Sequence, residues 1–184
     1  DGYRTKTVGK CRMDFYRLAI NDLTDAGMQP FREGDEMLIC NGEIYNHREF
    51  RTGNEKSNSD CEILMPLIRD YGITKAIDSI NGDFALVYTN GKRVIAARDP
   101  VGVRPLFYTR YGPTSIAFAS EVKALRFLNS EIHIFPPGHI YDSYIDDFVC
   151  YHTGYWRVNK YIKSGFHRQL RETLEHAVHD RIDN

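Results

Sequence analysis

Apolar and polar positions along the chain change period several times, and those changes mark out strands and helices. Between residues 12 and 21 the side chains alternate, with Met13, Phe15, Arg17 and Ala19 on one face and Tyr16, Leu18 and Ile20 on the other, which predicts a strand. Met37-Leu38-Ile39-Cys40 is continuously apolar, as expected of a strand covered on both faces, and the run stops at Asn41-Gly42. Residues 83–89 and 92–97 flank Asn90-Gly91, a strong hairpin signal. Further short strands are predicted over 106–110, 116–120 and 139–144, separated by glycine and proline turns. Helical spacing is predicted over 59–71, over 121–128 and from residue 166 onward, where Phe166, Leu170, Leu174, Ala177, Val178 and Ile182 form one apolar stripe. Sheets with helices on their outer faces follow from this pattern.

Three local features refine it. Ser59-Asp60-Cys61-Glu62 reads as a capping box, in which Ser59 accepts from the third helical N–H and Glu62 reaches back to the N–H of Ser59. Pro66 falls inside that helix and predicts a kink or an early end, at a cost of about 3 kcal/mol. Arg17 shares a face with apolar neighbours; a guanidinium stays charged, so it should find a carboxylate there, from a structural acid or from a ligand.

Composition narrows the class without naming it. A chain of 184 residues, 42% hydrophobic and 27% charged, suits one soluble globular domain. The net charge of -1 offers no general attraction to nucleic acid or anionic lipid, and no apolar run approaches the roughly 20 residues needed to span a bilayer. Four cysteines without a Cys-x-x-Cys pair provide neither a zinc ribbon nor a redox motif, so a reducing, cytoplasmic setting fits. His176 and His179 beside Glu172 and Glu175 read as solvated helix contacts, and no metal site is expected. A basic, aromatic stretch, with Arg157, Lys160 and Lys163 near Tyr155, Trp156 and Tyr161, reads as a solvated face or a domain contact.

Candidate chemistry centres on Asn41-Gly42. A side-chain amide followed by an unobstructed backbone N–H can serve as paired donors to an oxyanion; the same dipeptide is also a common turn. Its company is more specific. Asn41-Gly42-Glu43-Ile44-Tyr45-Asn46-His47, Ser59-Asp60-Cys61-Glu62, Arg98-Asp99-Pro100-Val101-Gly102-Val103-Arg104-Pro105-Leu106, Ala119-Ser120-Glu121-Val122-Lys123-Ala124-Leu125 and Phe135-Pro136-Pro137-Gly138 occur in this order. Together they resemble the class II glutamine amidotransferases, and most closely the glutaminase half of glutamine-hydrolysing asparagine synthetases.

That resemblance implies an α+β fold of the N-terminal nucleophile hydrolase type, a four-layer α/β/β/α sandwich of largely antiparallel sheets. Residues 1–160 would be the glutaminase domain and 161–184 a linker helix to an ATP-dependent synthetase domain, with a homodimer possible. By the same resemblance Asn41 and Gly42 form the oxyanion hole, Arg17 binds the α-carboxylate of glutamine, and Asp60 and Glu43 hold its α-ammonium. Leu18 and Ile20 line the pocket. The family nucleophile is an N-terminal cysteine, whereas this chain begins Asp1-Gly2 and Cys11, Cys40, Cys61 and Cys150 are internal. We therefore expect a fragment lacking its first strands and nucleophile, inactive as it stands. No cofactor is expected in these residues, which lack a Ser-Gly-Gly-x-Asp-Ser loop; ATP and Mg would belong to the synthetase domain. Arg98-Asp99 is expected to be a structural ion pair. The loop between His47 and Ser59 is a few residues short of the family pattern. Two other readings stay open: a phosphoribosyl amidotransferase glutaminase domain, and a glutamine-binding scaffold without catalysis, as in β-lactam synthetases.

Overall fold

The computed structural model describes residues 2–18, 22–152 and 165–182. Strands β1 (Gly2–Val8) and β2 (Cys11–Arg17) form an antiparallel hairpin. Next come β3 (Phe31–Glu33), β4 (Glu36–Ile44), β5 (Gly82–Thr89), β6 (Val94–Arg98), β7 (Phe107–Tyr111) and β8 (Ser115–Ala119). The last strands are β9 (His133–Ile134), β10 (His139–Asp142) and β11 (Asp147–Cys150). A six-stranded antiparallel sheet runs β11-β10-β6-β5-β4-β3, and a smaller sheet runs β8-β7-β9. The helices are α1 (Leu64–Tyr71), α2 (Ile73–Ser79) and α3 (Phe166–Ile182).

Strand alternation gives the large sheet two apolar faces. Leu38, Cys40 and Ile44 of β4, Phe84, Leu86 and Tyr88 of β5, and Ile95 and Ala97 of β6 pack with Leu64, Leu67, Ile68, Ala76 and Ile77 of α1 and α2. Met37, Ala85, Val87, Ala96 and Tyr141 face the other way, onto a second core with Val8 and Met13 of the hairpin, Leu106 and Phe135. There Tyr108, Phe118, Tyr141 and Phe148 pack ring against ring around Phe135. The expected mixed α/β architecture with antiparallel sheets is thus observed, and Met37-Leu38-Ile39-Cys40 is covered on both sides. The helix α3 touches the body where Asn81 Nδ2 donates to Asp180 Oδ2 at 2.9 Å and Arg181 lies 4.6 Å from the centre of the Tyr45 ring.

Several expectations need correction. The strand β4 runs on through Asn41-Gly42 to Ile44, so this dipeptide is not a turn. The helix expected at 59–71 splits into a 3-10 turn, Asp60–Ile63, followed by α1. Its capping box does not form, because the Glu62 carboxylate accepts instead from the N–H groups of Lys56 and Ser57, both at 2.8 Å, and Ser59 makes no side-chain cap. Residues 121–128 form two short 3-10 turns, closed by Asn129 in the left-handed region at φ 50°. The turn at Asn90-Gly91 is a four-residue loop, in which Asn90 Oδ1 accepts from Lys92 and Arg93. The strand predicted over 12–21 is β2, which begins at Cys11 and ends at Arg17; its partner β1, the short strands β3, β9 and β11, and α2 do not stand out in the sequence.

Pro66 proves compatible with its helix. It is the third residue of α1, within the first turn, where the N–H it lacks has no intrahelical partner to lose. Pro66→Ala is expected to leave stability unchanged or lower it by up to about 1 kcal/mol, through the gain in unfolded-chain freedom. Urea denaturation reads this directly; a gain near 3 kcal/mol would mean the proline strains the helix.

Candidate active site

The outer edge of β4 organises the site. In an antiparallel strand, alternate residues direct their N–H and C=O groups to opposite neighbours. Tyr45 N–H donates to Asn81 O on the β5 side, so the even-numbered residues of β4 point to the other edge. There β3 pairs only as far as Leu38. Beyond it the edge is met by side chains. The buried Gln29 amide accepts from Cys40 N–H at 2.6 Å and donates to Cys40 O at 3.1 Å, imitating a strand. The Asp60 carboxylate accepts from Ile44 N–H at 2.7 Å, and the Cys61 thiol lies 3.8 Å from Gly42 O. Gly42 N–H therefore points off the sheet between two anchored residues.

Glycine is required at position 42 by space. A Cβ there would sit 2.3 Å from Asp83 O and 2.8 Å from Phe84 Cα on β5. Asn41 projects towards the smaller sheet, and its Nδ2 donates to Ser120 Oγ at 3.3 Å. That bond links two sequence motifs 79 residues apart and orients the amide with nitrogen, its donor atom, towards Ser120. Alternation places Glu43 on the Asn41 side of the strand. Asp60 is buried and joined to β4, so Asn41, Gly42, Glu43 and Asp60 are brought to one strand end.

Arg17 ends β2 on the face of buried Met13, as its alternation predicts. Its Nη1 donates to Thr24 O at 2.6 Å. A protein carboxylate is near: a Cβ on Gly27 would lie 2.9 Å from both Arg17 Nη2 and Asp22 Cγ. Leu18 turns its side chain to solvent, 75% exposed, and so does not line a closed pocket with it. Ile20 lies outside the described residues. A cleft of about 410 Å³ opens between this loop and residues 51–58, bordered by Asp22, Thr24, Arg51, Lys56 and Asn58.

Burial makes Cys11 and Cys61 poor nucleophiles. Burial pushes the Cys11 thiol up to about 11. The Cys61 thiol, beside Cys40 and fully enclosed, is held well above its ordinary range. Cys40 packs in the helix-side core and Cys150 is exposed on β11. Arg98 and Asp99 are structural but not an ion pair. Arg98 donates to the carbonyls of Gly102, Arg104 and Phe135, while Asp99 accepts from the N–H groups of Val101, Gly102, Val103 and Arg104. Sequence reasoning missed Asp22, Gly27 and Gln29; the one available signal was a glutamine set between apolar Met28 and Pro30-Phe31.

A large antiparallel sheet backed by helices, a second sheet on its other face, and an amide-bearing strand end between them define an N-terminal nucleophile hydrolase fold of the amidotransferase type. The glutamine phosphoribosylpyrophosphate amidotransferase of B. subtilis shares that fold: TM-score 0.64 at 22% identity, over 78% of this chain and 35% of that one. Residues 1–135 match the glutamine amidotransferase domain family, and the chain belongs to it. Among its relatives is a probable glutamine-hydrolyzing asparagine synthetase of Schizosaccharomyces pombe, 40% identical over 90% of this chain. Another, glutamine-hydrolyzing asparagine synthetase 1 of Saccharomyces cerevisiae, is 38% identical over 90% of the chain. The chain spans about a third of these relatives, 32% and 31% of their lengths.

Two measurements check this geometry. Gln29→Leu removes both partners of a buried N–H and C=O and should cost about 2 kcal/mol or more in chemical denaturation. His47 is buried with neither ring nitrogen hydrogen-bonded, and burial lowers its pKa from the ordinary 6.5. The unfolded chain then takes up the proton first, so stability should fall as pH drops through 6.5 and the loss should level off only below the folded-state value. His47→Gln should remove that slope; an unaltered pH profile would assign it to other groups.

Proposed function

We propose that this domain hydrolyses the side-chain amide of glutamine. The observation that carries the reading is the β4 edge, where Asn41, Gly42 N–H and the Asp60 carboxylate come together around a strand end that no further strand covers among the described residues. In the reaction, a cysteine thiolate from outside residues 1–184 adds to the amide carbonyl, and the negative charge that develops on oxygen is held by Asn41 Nδ2 and Gly42 N–H. The C–N bond then breaks, a proton passes to the leaving nitrogen and ammonia departs. Water hydrolyses the thioester to glutamate and restores the thiol.

Arg17 would receive the α-carboxylate and Asp60, with Glu43, the α-ammonium, fixing the amide against the donors. In the free chain Arg17 donates to Thr24 O, an interaction that substrate carboxylate would supplement or replace. The relatives, glutamine-hydrolyzing asparagine synthetases of which this chain spans about a third, favour asparagine as the destination of the ammonia. In this reading a following domain makes it from aspartate with ATP and Mg2+, for which residues 1–184 carry no Ser-Gly-Gly-x-Asp-Ser loop. Cys11, Cys40, Cys61 and Cys150 are all free thiols, which suits a reducing cytoplasm.

Calorimetry and an ammonia-release assay test the reading together. Residues 1–184 should bind glutamine and release no ammonia. In protein that carries the thiol, Asn41→Ala should lower kcat by about 10²–10³ with little change in KM, whereas Arg17→Ala should mainly raise KM. Absence of binding at millimolar glutamine would leave a scaffold role, and the reverse kinetic pattern would remove these assignments.

A further inference from the structure

Asp22 is charged, only 6% exposed and absent from every motif that drew attention to the chain, yet it touches both sides of the site. Its Oδ1 accepts from the N–H and the hydroxyl of Thr24, each at 2.7 Å. Thr24 in turn offers its carbonyl to Arg17 at 2.6 Å. Its Oδ2 accepts from Asn58 N–H at 2.8 Å, two residues before Asp60 and 36 residues away in the chain. One carboxylate thus spans the loop that holds Arg17 and the loop that delivers Asp60. Three short bonds and the nearby Arg17 charge favour its ionised form, holding the carboxyl below the usual range.

We propose that Asp22 is a positioning residue that sets the spacing between the two ends of the amino-acid clamp, Arg17 for the carboxylate and Asp60 for the ammonium. The inference rests on the glutamine reading above. A clamp for an α-amino acid needs its cation and anion held at one separation, and no hydrogen bond joins Arg17 to Asp60 among the described residues. The link through Thr24, Asp22 and Asn58 supplies it. Gly27 keeps the space clear, since a methyl group there would meet Asp22 Cβ at 2.8 Å and Arg17 Nη2 at 2.9 Å.

The two oxygens do different work, which makes the idea separable from simple loop stapling. In Asp22→Asn the amide oxygen can still accept from Thr24, while the NH2 group cannot accept from Asn58 N–H. The Arg17 side is kept and the Asp60 side is released. Titration by ligand-observed NMR and calorimetry would compare glutamine with 4-carbamoylbutanoate, which is glutamine without its α-amine. Asp22→Asn should weaken glutamine about tenfold and leave 4-carbamoylbutanoate within about twofold. If Asp22→Asn does not fold, Asn58→Pro deletes the same hydrogen bond from the donor side and should produce the same selective loss. Unchanged glutamine affinity, or equal weakening of both ligands, overturns the proposal while the glutamine site stands. A wild-type chain that binds neither ligand removes both.

Discussion

An incompletely paired strand edge governs this structure. The strand β4 extends well past the end of β3, and its remaining N–H and C=O groups on that edge lie where water has little access. Such groups must find partners, because leaving them unmet costs as much as losing a hydrogen bond. Three side chains from two distant segments meet the need: Gln29 at Cys40, Cys61 at Gly42 O, and Asp60 at Ile44. A fourth strand-like neighbour would have buried Gly42 N–H in a ladder. Because side chains do this work instead, the edge stays fixed while one donor is aimed outward.

The same edge explains how two cores can be built around a polar centre. The large sheet is apolar on both faces, with α1 and α2 on one and the aromatic cluster around Phe135 on the other. Packing of this kind leaves β4 little freedom to shift, so Asn41 is carried on a strand rather than on a loop and its amide is held by Ser120 from the opposite sheet. The loop after β6 shows a related economy of polar groups. Asp99 gathers four backbone N–H groups and Arg98 three carbonyls, each ordering the turn by itself instead of neutralising the other.

Much of this was legible from local pattern. The doubly buried run at Met37–Cys40, the β5–β6 hairpin and the C-terminal helix each follow from periodicity over several residues, because burial repeats with the geometry of the element. Arg17 on the inner face of its strand follows from the same alternation. The capping box expected at Ser59 does not form because two loop N–H groups take the Glu62 carboxylate, a competition between near neighbours that sequence spacing does not rank. Asn41-Gly42 looked like the end of a strand because asparagine and glycine usually end one; cross-strand contact with Phe84 and Asp83 keeps it extended.

By itself the sequence determined which segments are apolar on which faces, the order of the motifs, and the residue types available for holding an amino acid and stabilising an oxyanion. These are properties of short stretches, set by side-chain chemistry and by the periods of strand and helix. Only the tertiary structure decided that Gln29 would complete β4, that Ser120 would orient Asn41, and that Asp22 would join the Arg17 and Asp60 loops. Each of those depends on a hydrogen bond between residues from 11 to 79 positions apart, and such a bond exists only when packing has brought both partners to the same place.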